Sequence, residues 1–289
     1  MADITLGQHP MLKKEYIDRR FRDLVGEQFV ADRLFNQTTV DALAIRFAVE
    51  DADKDATGKP IYDDVPEVGE GSNYERIGIT EDVKTEMIKK YGLEAAITYE
   101  MQKFTDGAPI ERAYRKLAMN VRKMVDVMAY NVLLKDASGI QKLDKTGNFW
   151  AGASAADNMI NDIIDMRKAL RDYGYEPDTL LITPEIEAAL LKQKAVRDAF
   201  RENNTDVALL RGYIGDFMGL SFIVDAHFPA DTVAMLQRGV IGDIADAEGM
   251  RTETYNEKSN DRTIVRVTRF TAAYLTDPKA VYKLTSIFS

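Results

Sequence analysis

Few residues in this 289-residue chain are of types and spacings that could do chemistry. In "DADKDATG", Asp51, Asp53 and Asp55 alternate as the oxygen ligands of a calcium loop do. Ala56 stands where the sharp turn needs glycine, and Tyr62 where a bidentate glutamate is needed, so the stretch reads as a solvated acidic turn. His9 and His227 are far apart, and neither has a second ligand at metal spacing; both read as structural. In "GDIADAEG", Asp243, Asp246 and Glu248 could pair as acid and base, but nothing in the sequence brings a second group to them. They read as exposed turn acids. "GEGSNYERIG" lacks the third glycine of a dinucleotide fingerprint, and no lysine follows a glycine run as a phosphate loop requires. Cysteine is absent, which removes disulfides and thiolate nucleophiles together. No catalytic, metal or cofactor site is expected.

With chemistry set aside, the totals describe an ordinary globular protein, 45% apolar and 29% charged. Its apolar runs are too short to span a bilayer. The N-terminus, "MADITLGQHPMLKK", has no apolar signal core, so a reducing cytoplasm is the expected place of synthesis and assembly. The net charge is −9, from 47 acidic and 38 basic residues. The densest basic run, "KKEYIDRRFR", is interleaved with acids and reads as a solvated helix face, which disfavours tight nucleic-acid binding.

The elements follow from periodicity. Residues 10–35 have helical spacing at Leu12, Tyr16, Phe21, Leu24, Val25 and Phe29, although Gly26 weakens the middle. "VDALAIRFAVE" is a strand candidate. Residues 51–82 are acidic and rich in glycine and proline, too long for an ordinary loop, and "YERIGIT" alternates as a strand does. They are read as either disordered or an extended hairpin that packs on another molecule, and the alternation favours the hairpin. Residues 110–135 are the clearest helix: Ile110, Tyr114, Leu117, Val121, Met124, Met128 and Val132 recur at three and four, with Thr105, Asp106 and Pro109 as start signals. A second helix runs from Ser154 to a stop at Gly174. "TLLIT" is a buried strand, and Thr183 with Pro184 opens another helix. "GDFMGLSFIVDAHFPADTVAMLQRG" gives a helix end, a Met-Gly turn and two apolar strands. "MRTETYN", "RTIVRVTRF" and "AAYLTD" are alternating strands around the polar turn "NEKSND".

In this order, "KKYGLEAAITYEMQKF", "IERAYRKLAMNVRKMVDVMAYNVLL", "TLLITPEIEAALL", "IGDFMGLSFIVDAHFPADTVAMLQRG" and "RTIVRVTRFTAAYLTDPKAVYKL" resemble the major capsid proteins of tailed bacteriophages, with the fold named after phage Hong Kong 97. The resemblance runs from about Ala42 to the C-terminus and implies an α+β fold. It implies an N-terminal arm over 1–40, an extended loop (E-loop) over 41–97 and a peripheral domain with a long spine helix over 98–150. An axial domain follows over 151–249, then a peripheral-domain strand pair over 250–270 and a return to the axial domain over 271–289. It implies inter-subunit contacts by Ile61, Tyr62, Tyr74, Arg76, Ile77 and Ile79 of the loop. It implies others, near three-fold junctions, by Tyr255, Asn256, Glu257, Lys258, Asn260 and Asp261. The function implied is self-assembly as pentamers and hexamers into an icosahedral shell that encloses double-stranded DNA without specific binding. Such a protein is assembled in the host cytoplasm and ends in the virion. Its partners would be further copies of itself, a portal and decoration proteins. Since the chain reaches the arm within ten residues of Met1, a separate scaffolding protein is expected, or else a leading segment has been trimmed.

Some relatives join a loop lysine to an asparagine with help from a glutamate. Lys59 or Lys84, with Asn256 or Asn260 and Glu257, supply those residue types, which are common on any surface. An encapsulin, a bacterial compartment of the same fold that holds enzyme cargo, is the alternative, because function lies in what is bound and not in the fold. A soluble α/β enzyme using Asp243, Asp246 or Glu248 is the more distant one.

Overall fold

The structure, a computed structural model, describes residues 16, 19–20, 30–50, 67–74, 81–104, 108–135, 139–147, 149–151, 155–193 and 216–288. Most of the helix expected over 10–35, most of the loop over 51–82, and the start signals Thr105, Asp106 and Ser154 lie outside the described residues. In chain order the elements are α1 (Ala31–Leu34), β1 (Asn36–Thr39), β2 (Ala44–Glu50), β3 (Glu81–Met87), β4 (Lys89–Thr98), α2 (Tyr99–Phe104), α3 (Ala108–Leu133) and β5 (Gln141–Asp144). They continue with α4 (Ala155–Arg171), β6 (Thr179–Ile182), α5 (Pro184–Lys192), β7 (Asp216–Phe217), β8 (Leu220–Val224) and β9 (Val233–Leu236). The last three are β10 (Gly242–Glu257), β11 (Arg262–Leu275) and β12 (Val281–Thr285).

The chain divides into two compact units. One comprises residues 1–45, 86–132 and 243–274, so distant segments fold together. Its sheet has the order β1-β10-β11-β4. β1 runs parallel to β10, with Asn36 opposite Asp243, and β11 runs antiparallel to β4, from Arg262 opposite Thr98 to Thr271 opposite Lys89. The 26 residues of α3 rise about 39 Å along the helix axis. Its buried face, Ile110, Tyr114, Leu117, Ala118 and Val121, packs on Ile97, Val265 and Val267 of β4 and β11. Each of the Ile, Leu and Val side chains among them contributes about 1.5–3 kcal/mol on burial. At Gly92 β4 lies so close to β11 that an added Cβ would sit 3.1 Å from Thr268 Cγ2 and 3.2 Å from the Val267 carbonyl.

The other unit comprises residues 46–85, 133–242 and 275–289. Its mixed sheet has the order β5-β12-β9-β6-β8-β7. β6 is parallel to β8 and antiparallel to β9, and β12 is parallel to β5 and antiparallel to β9. In α4, Ala155, Met159, Ile163, Met166 and Leu170 are buried at spacings of four and three. They join Trp150, Leu180, Ile182, Ile186, Met235 and Leu284 in one core. Lys145 and the Trp150 indole N–H both donate to Asp162 Oδ2, which ties the segment before α4 to the helix. The Thr183 hydroxyl accepts from Ile186 N at 3.5 Å and caps α5, as its sequence predicts. The Met-Gly turn is present too. Met218 (φ 54°) and Gly219 (φ 75°) are both left-handed, the geometry of a type I′ hairpin between β7 and β8.

β2 and β3 form a separate two-stranded sheet. Three sequence expectations change. The helix end expected before the Met-Gly turn is the strand β7, because Asp216 and Phe217 pair antiparallel with Ser221 and Leu220 of β8. The terminal strands are longer than the alternating stretches suggested, because β10 and β11 each run uninterrupted through residues that pack in the core. Asp243, Asp246 and Glu248 therefore lie within β10 and are not turn acids. The two aspartates are accommodated there because each carboxylate has a partner across the sheet.

Candidate assembly surfaces

Of the loop residues, Ile61, Tyr62, Arg76, Ile77 and Ile79 lie outside the described residues. Tyr74 is described, and the residue is 82% exposed. A Gly69–Ser72 turn precedes it, with Gly71 at φ 78° and Ser72 N donating to the Gly69 carbonyl at 3.0 Å.

The second predicted group is gathered at the turn between β10 and β11. Tyr255 lies exposed near the end of β10, with its hydroxyl donating to Glu94 Oε1 at 3.2 Å. The Arg266 guanidinium lies 5.0 Å from the Tyr255 ring centroid and bonds Glu94 at 2.5 Å. Thr263 donates to Asn256 Oδ1 at 3.0 Å, and Asn260 Nδ2 donates to Glu257 Oε1 at 3.2 Å. Glu257 also accepts from Arg262 Nε at 2.5 Å, which holds its carboxyl below the usual range. Lys258 begins the 3-10 turn Lys258–Asn260, and Asp261 closes it in the left-handed region at φ 42°. The Asp261 carbonyl accepts from Tyr99 N at 3.0 Å. The result is a turn braced by its own side chains. Asn256, Asn260 and Glu257 are all engaged in that bracing.

The three acids weighed as an enzyme site do not converge. Asp243 accepts from the Tyr274 hydroxyl at 3.0 Å, and burial, then this bond, pushes the phenol up to about 12. Asp246 receives a fork from Arg269, Nε at 3.0 Å and Nη2 at 2.8 Å. Glu248 pairs with Arg251 at 3.1 Å. His227 lies between β8 and β9, where Asp225 Oδ1 accepts from its backbone N–H at 3.0 Å and lies 3.1 Å from its Nδ1. Among the described residues, no three His, Asp or Glu side chains are gathered to hold a metal ion.

Sequence reasoning missed two buried polar anchors. Arg269, with a side chain only 6% exposed, lies between Asp246 and Asp32, whose Oδ1 is 4.0 Å away. Burial raises the Asp32 carboxyl above its ordinary value. Asp126, fully buried on α3, accepts from Ala31 N at 2.9 Å and has Arg122 Nε at 3.6 Å. Both anchors tie α1 to its unit, and neither shows in a linear pattern because the contacts that reach α1, Ala31 to Asp126 and Asp32 to Arg269, join residues more than 90 positions apart. A cavity of about 260 Å³ also lies between α3 and the sheet, lined by Tyr91, Gly92, Val121, Met124 and Thr268 among others. Large apolar side chains stand exposed at Phe104 of α2, 73%, and Met119 of α3, 66%.

The comparisons with known proteins agree with this architecture. The family model described as phage capsid protein matches residues 82–284, well over half of the chain. No curated protein matches the sequence. Among solved structures, the capsid of the cyanophage P-SCSP1u is similar with a TM-score of 0.69 at 10% identity, covering 90% of this chain and 89% of that one. A virus-like particle from Pyrococcus furiosus gives 0.64 at 15% identity, covering 93% and 98%. Mycobacterium phage Bobi gives 0.61 at 16% identity, covering 98% and 99%. The chain belongs to the phage capsid protein family, and its α+β fold is of the Hong Kong 97 type. Membership in that family makes it a structural protein and not an enzyme.

Proposed function

We propose that the chain is the major capsid protein of a tailed bacteriophage, which assembles as pentamers and hexamers into an icosahedral shell around double-stranded DNA. What carries this reading is the extent of the likeness: family-wide over 82–284, and reaching nearly end to end on both chains in the structural matches. In this reading α3 is the spine helix of a peripheral domain whose sheet is β1-β10-β11-β4. The six-stranded sheet with α4 and α5 is the axial domain, and the pair β2–β3 is the base of an E-loop that reaches a neighbouring subunit. The exposed ring of Tyr74 supports such a contact. The braced turn over 256–261 is the contact near three-fold junctions, and its internal hydrogen bonds support a preformed surface. Contacts between different patches of one chain close into rings, and rings of five and six close a shell. Obligate interfaces of this kind bury on the order of 2,000 Å² or more.

A separate scaffolding protein, a portal and decoration proteins complete the partner set, with assembly in the host cytoplasm. The test is negative-stain microscopy and light scattering of the purified chain, made alone and beside its scaffold. Closed particles of megadalton mass are expected. Their contents decide between the two containers, genomic DNA for a phage and a cargo enzyme for an encapsulin. A uniform species near 32.5 kDa under both conditions would refute the reading.

A further inference from the structure

The face of α3 opposite its buried residues carries Arg112, Arg115, Lys116, Met119 and Lys123, all exposed. Positions 112, 116, 119 and 123 recur at four, three and four, a single stripe about 16 Å long. The acids of the helix are engaged elsewhere. Glu111 accepts from Arg20, and Asp126 is buried on Ala31 N and Arg122. Among the described residues, Arg112, Arg115, Lys116 and Lys123 have no carboxylate within ion-pair distance. The other face of the same sheet is different. There Arg266 meets Glu94 and Glu253, Arg262 meets Glu257, and Arg251 meets Glu248 and Glu253. Among the described residues, the basic groups of that face are paired with carboxylates and those of the α3 stripe are not, in a chain of net charge −9.

We infer that this stripe of α3 faces the lumen and touches the phosphate backbone of enclosed double-stranded DNA, without reading its sequence. The inference rests on the capsid reading above. Phosphate fits the stripe better than an acidic protein segment does. A docked helix needs a row of apolar anchors, and the stripe offers only Met119. Guanidinium forks and mobile ammonium groups suit a phosphate run of any sequence. Neutralising about four phosphates gives a slope of log K against log salt of about −3.6, so that doubling the salt lowers the affinity about twelvefold. A single subunit therefore binds weakly, and the many copies in a shell act together.

The test uses the full-length, unassembled subunit and a short fluorescent duplex, with anisotropy followed across a salt series. The wild type is expected to give a slope of about −3 to −4, and Arg112→Gln/Arg115→Gln/Lys116→Gln/Lys123→Gln a slope near zero with at least about a tenfold loss at the lowest salt. Arg112→Lys/Arg115→Lys keeps the charge and should keep the slope. If the quadruple variant fails to fold, the two pairs Arg112→Gln/Lys116→Gln and Arg115→Gln/Lys123→Gln should each remove about half of it. Equal binding by wild type and charge-neutral variants, or no binding by the wild type, overturns the inference. So does binding of poly-glutamate in place of the duplex, which would make the partner an acidic protein. Microscopy of the same variants after assembly keeps the two readings apart: shells with unchanged DNA binding by the unassembled variants would remove this inference and leave the capsid reading standing.

Discussion

Replacing Arg269 with methionine tests the account of how the residues before β1 are held. Arg269 is nearly buried, forks onto Asp246 at 2.8 and 3.0 Å, and has Asp32 within 4.0 Å. Methionine keeps much of the volume but strips the only cation drawn between these two carboxylates in the described residues. Removing one partner of a buried pair leaves an uncompensated charge, at a cost of about 3–5 kcal/mol. With a urea dependence of about 2–3 kcal/mol per molar, the midpoint should fall by about 1–2.5 M. The sign of the pH effect follows from Asp32. Its carboxyl is already raised above 3.8 by burial, and Arg269 is the largest influence lowering it. A raised carboxyl contributes stability that is present at low pH and lost as pH rises through its folded value. Without Arg269 that value moves up again, so the deficit of Arg269→Met should shrink from about pH 7 to about pH 5. Urea titrations of the unassembled subunit at both pH values measure it. A midpoint within about 0.3 M of wild type, or a deficit that grows on acidification, would refute the argument.

Asp162→Ala leaves Lys145 and the Trp150 indole without their acceptor and should cost about 2–4 kcal/mol, read from the fluorescence of this sole tryptophan; Asp162→Asn should cost less. Gly92→Val forces a branched side chain against Thr268 and the Val267 carbonyl and should destabilise by about 1–3 kcal/mol in thermal melts. The Tyr274 phenol, pushed up to about 12 from 10.0, contributes stability that is whole below about pH 10 and lost toward about pH 12, so Tyr274→Phe should flatten the alkaline stability profile over that window. Deleting residues 61–79 should leave a soluble folded subunit that forms no shells; normal particles by microscopy would remove the loop from the assembly scheme.

Local periodicity made the helices and the apolar strands legible. The α3 pattern from Ile110 to Val132 lies within the observed Ala108–Leu133, and Thr183 caps α5 as its type and the following proline require. β1 and β5 escaped notice, since Asn36–Thr39 is exposed throughout and Gln141–Asp144 nearly so, and neither carries an alternating apolar signal. Asp243 and Asp246 were misplaced for a related reason. A carboxylate in a strand resembles a turn acid until its partner is known, and Tyr274 and Arg269 stand 31 and 23 positions away. The positive stripe of α3 was equally hidden. Its residues are not consecutive, and only the burial of Asp126 and the pairing of Glu111 show that the charges go uncancelled. The low affinity expected of it agrees with an acidic chain that disfavours tight DNA binding.

The parallel pairing of β1 with β10 has a mechanical side. Tension entering from the leading end meets, among the described residues, Arg20 on Glu111, then Ala31, held by Asp126, and Asp32, beside Arg269. It then runs along β1, whose bonds to β10 from Asn36 opposite Asp243 to Thr39 opposite Asp246 lie across the direction of pull. Those bonds are loaded together in shear and do not peel one at a time. Among the described residues, the four ladder positions of β1 add to these side-chain anchors, and the load passes into the middle of the sheet instead of stopping at its edge.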